Sequence, residues 1–160
     1  MADGAERQLV VFHLGGEVYG INIGTVREII RMQAITFVPD APAFVQGVIN
    51  LRGRVIPVVD LRTRFALLVT PATPDSRILV VDSGGIDIGV IVDAVTEVRR
   101  IDDATIEPPS GLLSTDDASY IEGITNADGR LLILLDLDRA LAALRGIAIE
   151  GDPSATGAAA

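Results

Sequence analysis

The chain has 160 residues and a formal net charge of -9, and 49% of its residues are hydrophobic but only 4% aromatic. This length accommodates one ordinary domain or two very small ones, and the acidic balance disfavours nucleic-acid binding. Cysteine and lysine are absent, which excludes disulfides, Schiff-base chemistry and a P-loop lysine. The core must therefore be built from Val, Ile and Leu, and this β-branched bias favours strands.

The first elements of the chain predict a hairpin followed by a helix. Residues 1–8 are small and polar, which predicts a flexible tail without an apolar signal core. Residues 9–14 and 17–23 are predicted strands, joined at a Gly-Gly turn. Thr25-Val-Arg-Glu28 matches a capping box, so we expect a short helix to begin near Thr25.

A second strand–turn–strand unit follows at residues 45–62. Its centre, Asn50-Leu-Arg-Gly53, predicts a tight turn, and Asp60 resembles the cap of one short helical turn. The Pro- and Thr-rich residues 69–76 form the best internal boundary.

The chain then repeats itself. Gly15 recurs as Gly84, a shift of 69 residues, and the same shift relates Glu28 to Glu97. Further on, Asn50 recurs as Asn126, a shift of 76, so a seven-residue insertion lies in the second copy. We therefore expect a single domain over residues 9–147, made of copies at about 9–68 and 77–145, with flexible tails at 1–8 and 148–160.

These elements predict a mostly β protein. One copy is about 60 residues, which is marginal for independent folding, so we expect two small joined barrels, with strand exchange between them left open. Residues 131–135 are five consecutive apolar residues, which predicts burial on both faces of that strand. A short helix is expected over 137–145.

The residues themselves offer three candidate sites. His13 is the only histidine and stands in an apolar strand, so a structural role is favoured over a catalytic one. Asp60 and Asp136 are repeat-equivalent and could form an acidic dyad, but Asp before a helical turn is more often an N-cap. Arg52 is not required by turn chemistry, so its guanidinium binds either local carbonyls or a partner's carboxylate.

The chain resembles the CheW family of chemotaxis coupling proteins. The most specific stretch is Pro42-Ala-Phe-Val-Gln-Gly-Val-Ile-Asn-Leu-Arg-Gly53. The other residues that carry the resemblance are 12–23, 26–29, 56–62, 89–95 and 131–137.

This resemblance implies two intertwined five-stranded SH3-like β-barrels with a few short helices, and a non-enzymatic role without catalytic residues, cofactor or metal. It implies a cytoplasmic adaptor, recruited to membrane receptor arrays but not inserted in the membrane. Its expected partners are the regulatory domain of the histidine kinase CheA, the chemoreceptor signalling tip in a groove between the barrels, and other CheW copies, with no nucleic acid. Paralogous adaptors of pili, surface-sensing or developmental pathways remain an alternative, and an aspartate-dyad hydrolase is a distant one. The residues expected to bind partners, or to hold that surface in shape, are Val26, Glu28, Ile29, Gly47, Asn50, Arg52 and Gly53.

Overall fold

A computed structural model of the chain describes residues 5–42, 44–64, 70–108 and 120–141. The strands of the first copy are β1 (Glu6–Leu14), β2 (Glu17–Asn22), β3 (Val26–Arg31), β4 (Val45–Leu51) and β5 (Arg54–Asp60). Those of the second copy are β6 (Arg77–Ser83), β7 (Ile86–Val92), β8 (Ala94–Asp102), β9 (Ile121–Ala127) and β10 (Arg130–Leu135). Two four-residue helices, α1 (Leu61–Arg64) and α2 (Leu137–Ala140), follow β5 and β10.

The strands form two five-stranded sheets that mix the two copies. One sheet has the order β8-β1-β2-β10-β9 and the other β3-β6-β7-β5-β4. Each copy thus gives its first two strands to one sheet and its last three to the other. Because β1 pairs with β8 and β3 pairs with β6, the copies are intertwined, which answers the question of strand exchange.

Each sheet closes on itself. In the first, Glu107 beyond β8 bridges to Ile124 in β9, and in the second, Thr36 beyond β3 bridges to Val48 in β4. We call the closed sheets barrel 1 (β8, β1, β2, β10, β9) and barrel 2 (β3, β6, β7, β5, β4). Closure joins the two edge strands of each sheet, so little unpaired edge is left for aggregation.

Three hydrophobic clusters fill this architecture. Barrel 1 encloses a cluster that contains Val11 and Leu132, and barrel 2 encloses one that contains Ile56 and Val80. The largest cluster combines side chains of both sheets, for example Phe12 with the Val59 of the other barrel. This shared core explains why units too small to fold well alone are stable together.

The predicted helix at Thr25 is wrong. Residues 23–25 form a single 3₁₀ turn, and β3 begins at Val26. The alternating burial of β3 is that of a strand, and its antiparallel partner β6 lies in the other copy. A long-range pairing therefore overrides the local capping pattern, which carries no information about it.

Two smaller expectations are corrected as well. The predicted N-terminal tail is in part strand, because β1 begins at Glu6 and Arg7 pairs with Ile101 of β8; residues 1–4 and 148–160 lie outside the described residues. Leu131 is exposed, whereas burial on both faces holds from Leu132 onward. Of the predicted helix over 137–145, residues 137–140 are helical and 142–145 are outside the described residues. Within the described part of the chain, no helix has the length and hydropathy to cross a membrane.

Candidate functional site

The structure brings together two of the predicted site residues, Glu28 and Arg52. Arg52 Nη1 donates to Glu28 Oε2 at 3.0 Å, and Arg52 Nη2 donates to Glu28 Oε1. This bidentate pair joins the start of β3 to the β4–β5 turn of barrel 2. The hydrogen bond from Arg52 lowers the pKa of Glu28 below its ordinary value, and the same bond raises the pKa of Arg52. The carboxylate partner of Arg52 is therefore found within the chain itself.

The turn that carries Arg52 is a two-residue β-hairpin loop. Arg52 and Gly53 have φ of 52° and 85°, the pattern of a type I′ turn, in which both central residues need positive φ. Asn50 Oδ1 accepts a hydrogen bond from the Gly53 backbone N–H at 2.8 Å. A left-handed backbone conformation costs a non-glycine residue such as Arg roughly 1–2 kcal/mol, so the turn itself does not favour Arg52. The turn does direct the Arg52 side chain toward Glu28.

Barrel 1 has an ion pair of the opposite polarity at the corresponding turn. Asp128 occupies the position of Arg52, with φ of 57°, and its Oδ2 lies 2.8 Å from Arg99 Nη2 of β8. Arg99 also lies 3.2 Å from Glu97. In barrel 2 the cation is on the turn and the anion on the edge strand, and in barrel 1 the two charges are exchanged.

The remaining predicted site residues have different surroundings. Ile29 is 42% exposed, whereas the half-buried Val26 packs against the shared core. Gly47 is buried at the closure of barrel 2, where an added Cβ would lie 2.1 Å from the Thr36 carbonyl oxygen. Gly47 thus holds the closure of the barrel, and the assignment of these positions to partner binding stays a prediction.

Large apolar side chains are exposed on barrel 2. Besides Ile29, Phe37 is 75% and Val55 70% exposed, and Val38 is exposed too. Barrel 1 exposes Val98 and Leu131. Exposed large apolar groups of this kind are typical of protein-binding surfaces.

A buried ionic clasp was missed by the sequence reasoning. Arg62 in α1 donates to both oxygens of Asp60, from Nε at 3.0 Å and from Nη2 at 2.9 Å. Its Nη1 reaches Asp93 Oδ1 at 3.2 Å, and Asp93 Oδ2 accepts from the Gly15 backbone N–H at 2.9 Å. The clasp therefore connects the end of β5 in barrel 2 to the β1–β2 turn of barrel 1. The sequence Asp60-Leu-Arg62 predicts a helix cap, but it does not indicate the contact with Asp93, which is remote in sequence.

The acidic residues considered as a dyad are engaged separately. Both oxygens of Asp60 accept from Arg62, and Asp136 caps α2 by accepting from the Arg139 backbone N–H at 3.2 Å. Asp60 Oδ1 also accepts from the Arg62 backbone N–H at 2.9 Å, so both aspartates make contacts of the helix-cap kind, as the sequence favoured. His13 lines a surface cavity of barrel 1 together with Val18. Among the described residues no cluster of His, Asp and Glu is arranged to hold a metal ion.

Comparison with known proteins places this arrangement in a family. Residues 8–145 match the family model of the CheW-like domain. The chain is 36% identical over 132 residues to chemotaxis protein CheW of Rhizobium meliloti, covering 82% of this chain and 85% of that protein. It is 36% identical over 135 residues to chemotaxis protein CheW of Bacillus subtilis, covering 84% and 86%. The crystal structure of the scaffolding protein TtCheW from Thermoanaerobacter tengcongensis superposes with a TM-score of 0.79, at 41% identity, over 86% of this chain and 88% of that one.

Proposed function

This chain belongs to the CheW family, and from that premise we propose that it is a non-enzymatic adaptor that couples chemoreceptors to the histidine kinase CheA. The coupling is mechanical: one rigid β scaffold binds the receptor signalling tip and the kinase regulatory domain at once. Two modest interfaces of this kind gain strength by avidity when many copies share an array.

The observation that carries the proposal is the surface of barrel 2 around the Arg52–Glu28 pair. The pair is exposed, fixed in geometry by two hydrogen bonds, and accompanied on the same barrel by exposed Ile29, Phe37 and Val55. Exposed apolar groups and oriented charges on one surface suit a specific protein interface, because the apolar groups supply affinity and the charges supply register.

The kinase regulatory domain is proposed to meet this surface of barrel 2, with the receptor hairpin between the barrels. The arrangement is supported by the clasp of Arg62 and Asp93, which links the barrels and so fixes the shape of any groove between them. A groove of fixed shape binds a helix at lower entropic cost than a flexible one.

Binding assays with the two partners test the proposal. The full chain is titrated with an isolated CheA regulatory domain and, separately, with a receptor cytoplasmic hairpin, and a third titration starts from the preformed pair. Saturable binding to each, and a ternary complex when both are present, is expected. A chain that binds neither partner, or that binds them only in competition, is not a coupler.

Swimming chemotaxis is favoured over the pili, surface-sensing and developmental alternatives because the relatives described above are chemotaxis proteins by name. Parallel titrations with kinase regulatory domains from the different pathways of the same cell separate these alternatives. Tightest binding to the kinase of another pathway would reassign the adaptor to that pathway.

A further inference from the structure

The two barrels differ at one end, which we call the mouth: the end that carries the β-hairpin turns and the start of the edge strand. In barrel 2 the mouth is filled by charge pairs. Asp87 pairs with Arg54 and lies 2.7 Å from Arg27, and Arg27 also lies 3.6 Å from Asp82. Leu51, at the end of β4, is buried. The four charged side chains thus cover this end of barrel 2, and the Leu51 side chain takes up space in its interior.

The repeat shows what replaces these residues in barrel 1. Position by position, Val18 stands for Asp87, Thr96 for Arg27, His13 for Asp82 and Ala127 for Leu51. The ion cluster is lost, and the large side chain inside is reduced to a methyl group. A cavity of about 270 Å³ lies at this mouth, and all four replacements line it.

The floor of the cavity is apolar and its rim is charged. Buried Val11, Val18 and Leu132 form the apolar part. The charged part of the lining consists of two arginines and two carboxylates, namely Arg99, Arg130, Glu97 and Asp128. Arg99 is already paired with Glu97 and Asp128. Arg130, in contrast, has no carboxylate within ion-pair distance among the described residues, whereas its counterpart Arg54 has Asp87.

We propose that the mouth of barrel 1 binds a carboxylate carried on a short aliphatic stem. The carboxylate takes the place that Asp87 has in barrel 2 and pairs with Arg130, and the stem lies on Val18 and Leu132. The chemistry follows from the lining: an exposed guanidinium recognises a carboxylate in bidentate fashion, and a small apolar floor accepts a few methyl groups. The site is independent of the receptor and kinase contacts proposed above.

A titration of the full chain with isovalerate, followed by NMR of the backbone amides at pH 7, tests the site. Saturable shifts confined to the mouth of barrel 1, at Val18, Thr96 and Arg130, are expected. The neutral isostere isovaleramide should bind at least about tenfold more weakly, because it lacks the charge that Arg130 recognises. A sodium chloride titration at equal ionic strength removes shifts caused by salt.

Three variants separate the proposed contacts from general effects. Arg130→Gln, at an exposed position, should weaken isovalerate binding about tenfold or more. Ala127→Leu restores the side chain that fills barrel 2 and should block the cavity while Arg130 is intact. Arg54→Gln removes the matched arginine of barrel 2 and should leave the affinity unchanged.

The same titration with N-acetylglutamate N-methylamide distinguishes two sources of the carboxylate. Tighter binding of isovalerate indicates a free small carboxylate, and tighter binding of the glutamate derivative indicates an acidic side chain of a protein. The proposal is overturned if neither ligand gives saturable shifts at the mouth. It is also overturned if isovaleramide binds as well as isovalerate, or if Arg54→Gln weakens binding as much as Arg130→Gln does.

Discussion

Arg52 and Asp128 occupy the same position in the two β-hairpin turns, with φ of 52° and 57°, but they carry opposite charges. Arg52 pairs with Glu28 on the edge strand of barrel 2, and Asp128 pairs with Arg99 on the edge strand of barrel 1. The two hairpin turns thus carry opposite charges at equivalent positions, whereas the edge-strand partners differ in position, because Glu28 corresponds to Glu97 and not to Arg99. A partner surface complementary to one barrel meets like charges on the other, which makes the two ends of the molecule distinguishable.

Replacing Arg52 by Asp is expected to weaken coupling while the chain stays folded. The turn accepts Asp at this conformation, as Asp128 demonstrates, but the new carboxylate faces Glu28 and repels it. We expect the affinity for the CheA regulatory domain or the receptor hairpin to fall about tenfold, as for a central interface residue. Isothermal titration measures the affinity, and a thermal melt by circular dichroism measures the fold.

The matched control for this change is the exchanged pair Glu28→Arg with Arg52→Glu. It restores the ion pair within barrel 2 but gives it the polarity of barrel 1. If affinity returns, the pair acts by holding the surface in shape, and if it does not, the sign of the charge at Arg52 is itself recognised. An Arg52→Asp chain that unfolds would make Arg52 structural, and unchanged binding would give it neither role.

The Glu28 carboxyl should titrate at a lower pH than an ordinary glutamate. Its pKa is lowered first by the hydrogen bond from Arg52 and then by the positive charges of Arg52 and Arg54, with desolvation opposing. A carboxyl whose pKa is lower in the folded than in the unfolded chain stabilises the fold fully at pH values above the unfolded pKa of about 4.3. This stabilisation is lost as the pH falls through the pKa of the folded state. The pair is therefore intact at neutral pH. Carbon-13 NMR of the Glu28 carboxyl should show its midpoint move upward in Arg52→Gln, and an unmoved midpoint would contradict the pairing in solution.

Gly47 should be indispensable for folding rather than only for binding. In Gly47→Ala the new Cβ would lie 2.1 Å from the Thr36 carbonyl oxygen, so the bridge that closes barrel 2 must open. We expect a loss of about 3 kcal/mol in the free energy of unfolding, measured by urea denaturation.

The contrasting variant is Gly53→Ala, where nothing lies within 4 Å of the added Cβ and only the positive φ is unfavourable. Its cost should be roughly 1 kcal/mol. Equal losses in the two variants would show that backbone conformation, and not the close approach to Thr36, makes Gly47 necessary.

Arg62 should contribute strongly to stability because it neutralises a buried carboxylate. Asp60 is 2% exposed and both of its oxygens accept from Arg62. In Arg62→Leu that carboxylate stays buried without its cation, which should cost about 3–5 kcal/mol in urea denaturation. Asp93→Asn, at the more exposed end of the clasp, should cost about 1 kcal/mol or less. A cost for Asp93→Asn as large as for Arg62→Leu would mean that the link between the barrels, and not the buried pair, dominates.

Separated copies of the repeat should not fold. A fragment of residues 1–76 contains β1 and β2 of barrel 1 and β3 to β5 of barrel 2, so each barrel is incomplete. We expect residues 1–76 and 77–160 to give unfolded NMR spectra alone and the spectrum of the intact chain when they are mixed. Well-dispersed signals from either fragment alone would mean that one copy can close its own barrel.

Much of the local structure was predictable from the sequence. The Gly-Gly and Asn50–Gly53 turns, the strands on either side of them and the caps at Asp60 and Asp136 depend on residues that are close in the chain. Glu28 and Arg52 were both selected as candidate site residues, but the sequence did not predict their contact with each other. The failure at Thr25 has the same origin, since the strand there exists only because β6 is present to pair with it.

The sequence by itself determined that a strand–turn–strand unit occurs twice, because turn chemistry and hydrophobic alternation act over a few residues. Only the tertiary structure decided which strands join which barrel. The two copies share one hydrophobic pattern, so by local criteria β1 could pair with the edge strand of either copy. The observed pairing of β1 with β8 depends on the core that both barrels share. The same holds for the charges. That Arg52 meets Glu28 and that Asp128 meets Arg99 follows from barrel closure, which brings together residues whose separation in sequence gives no sign of contact.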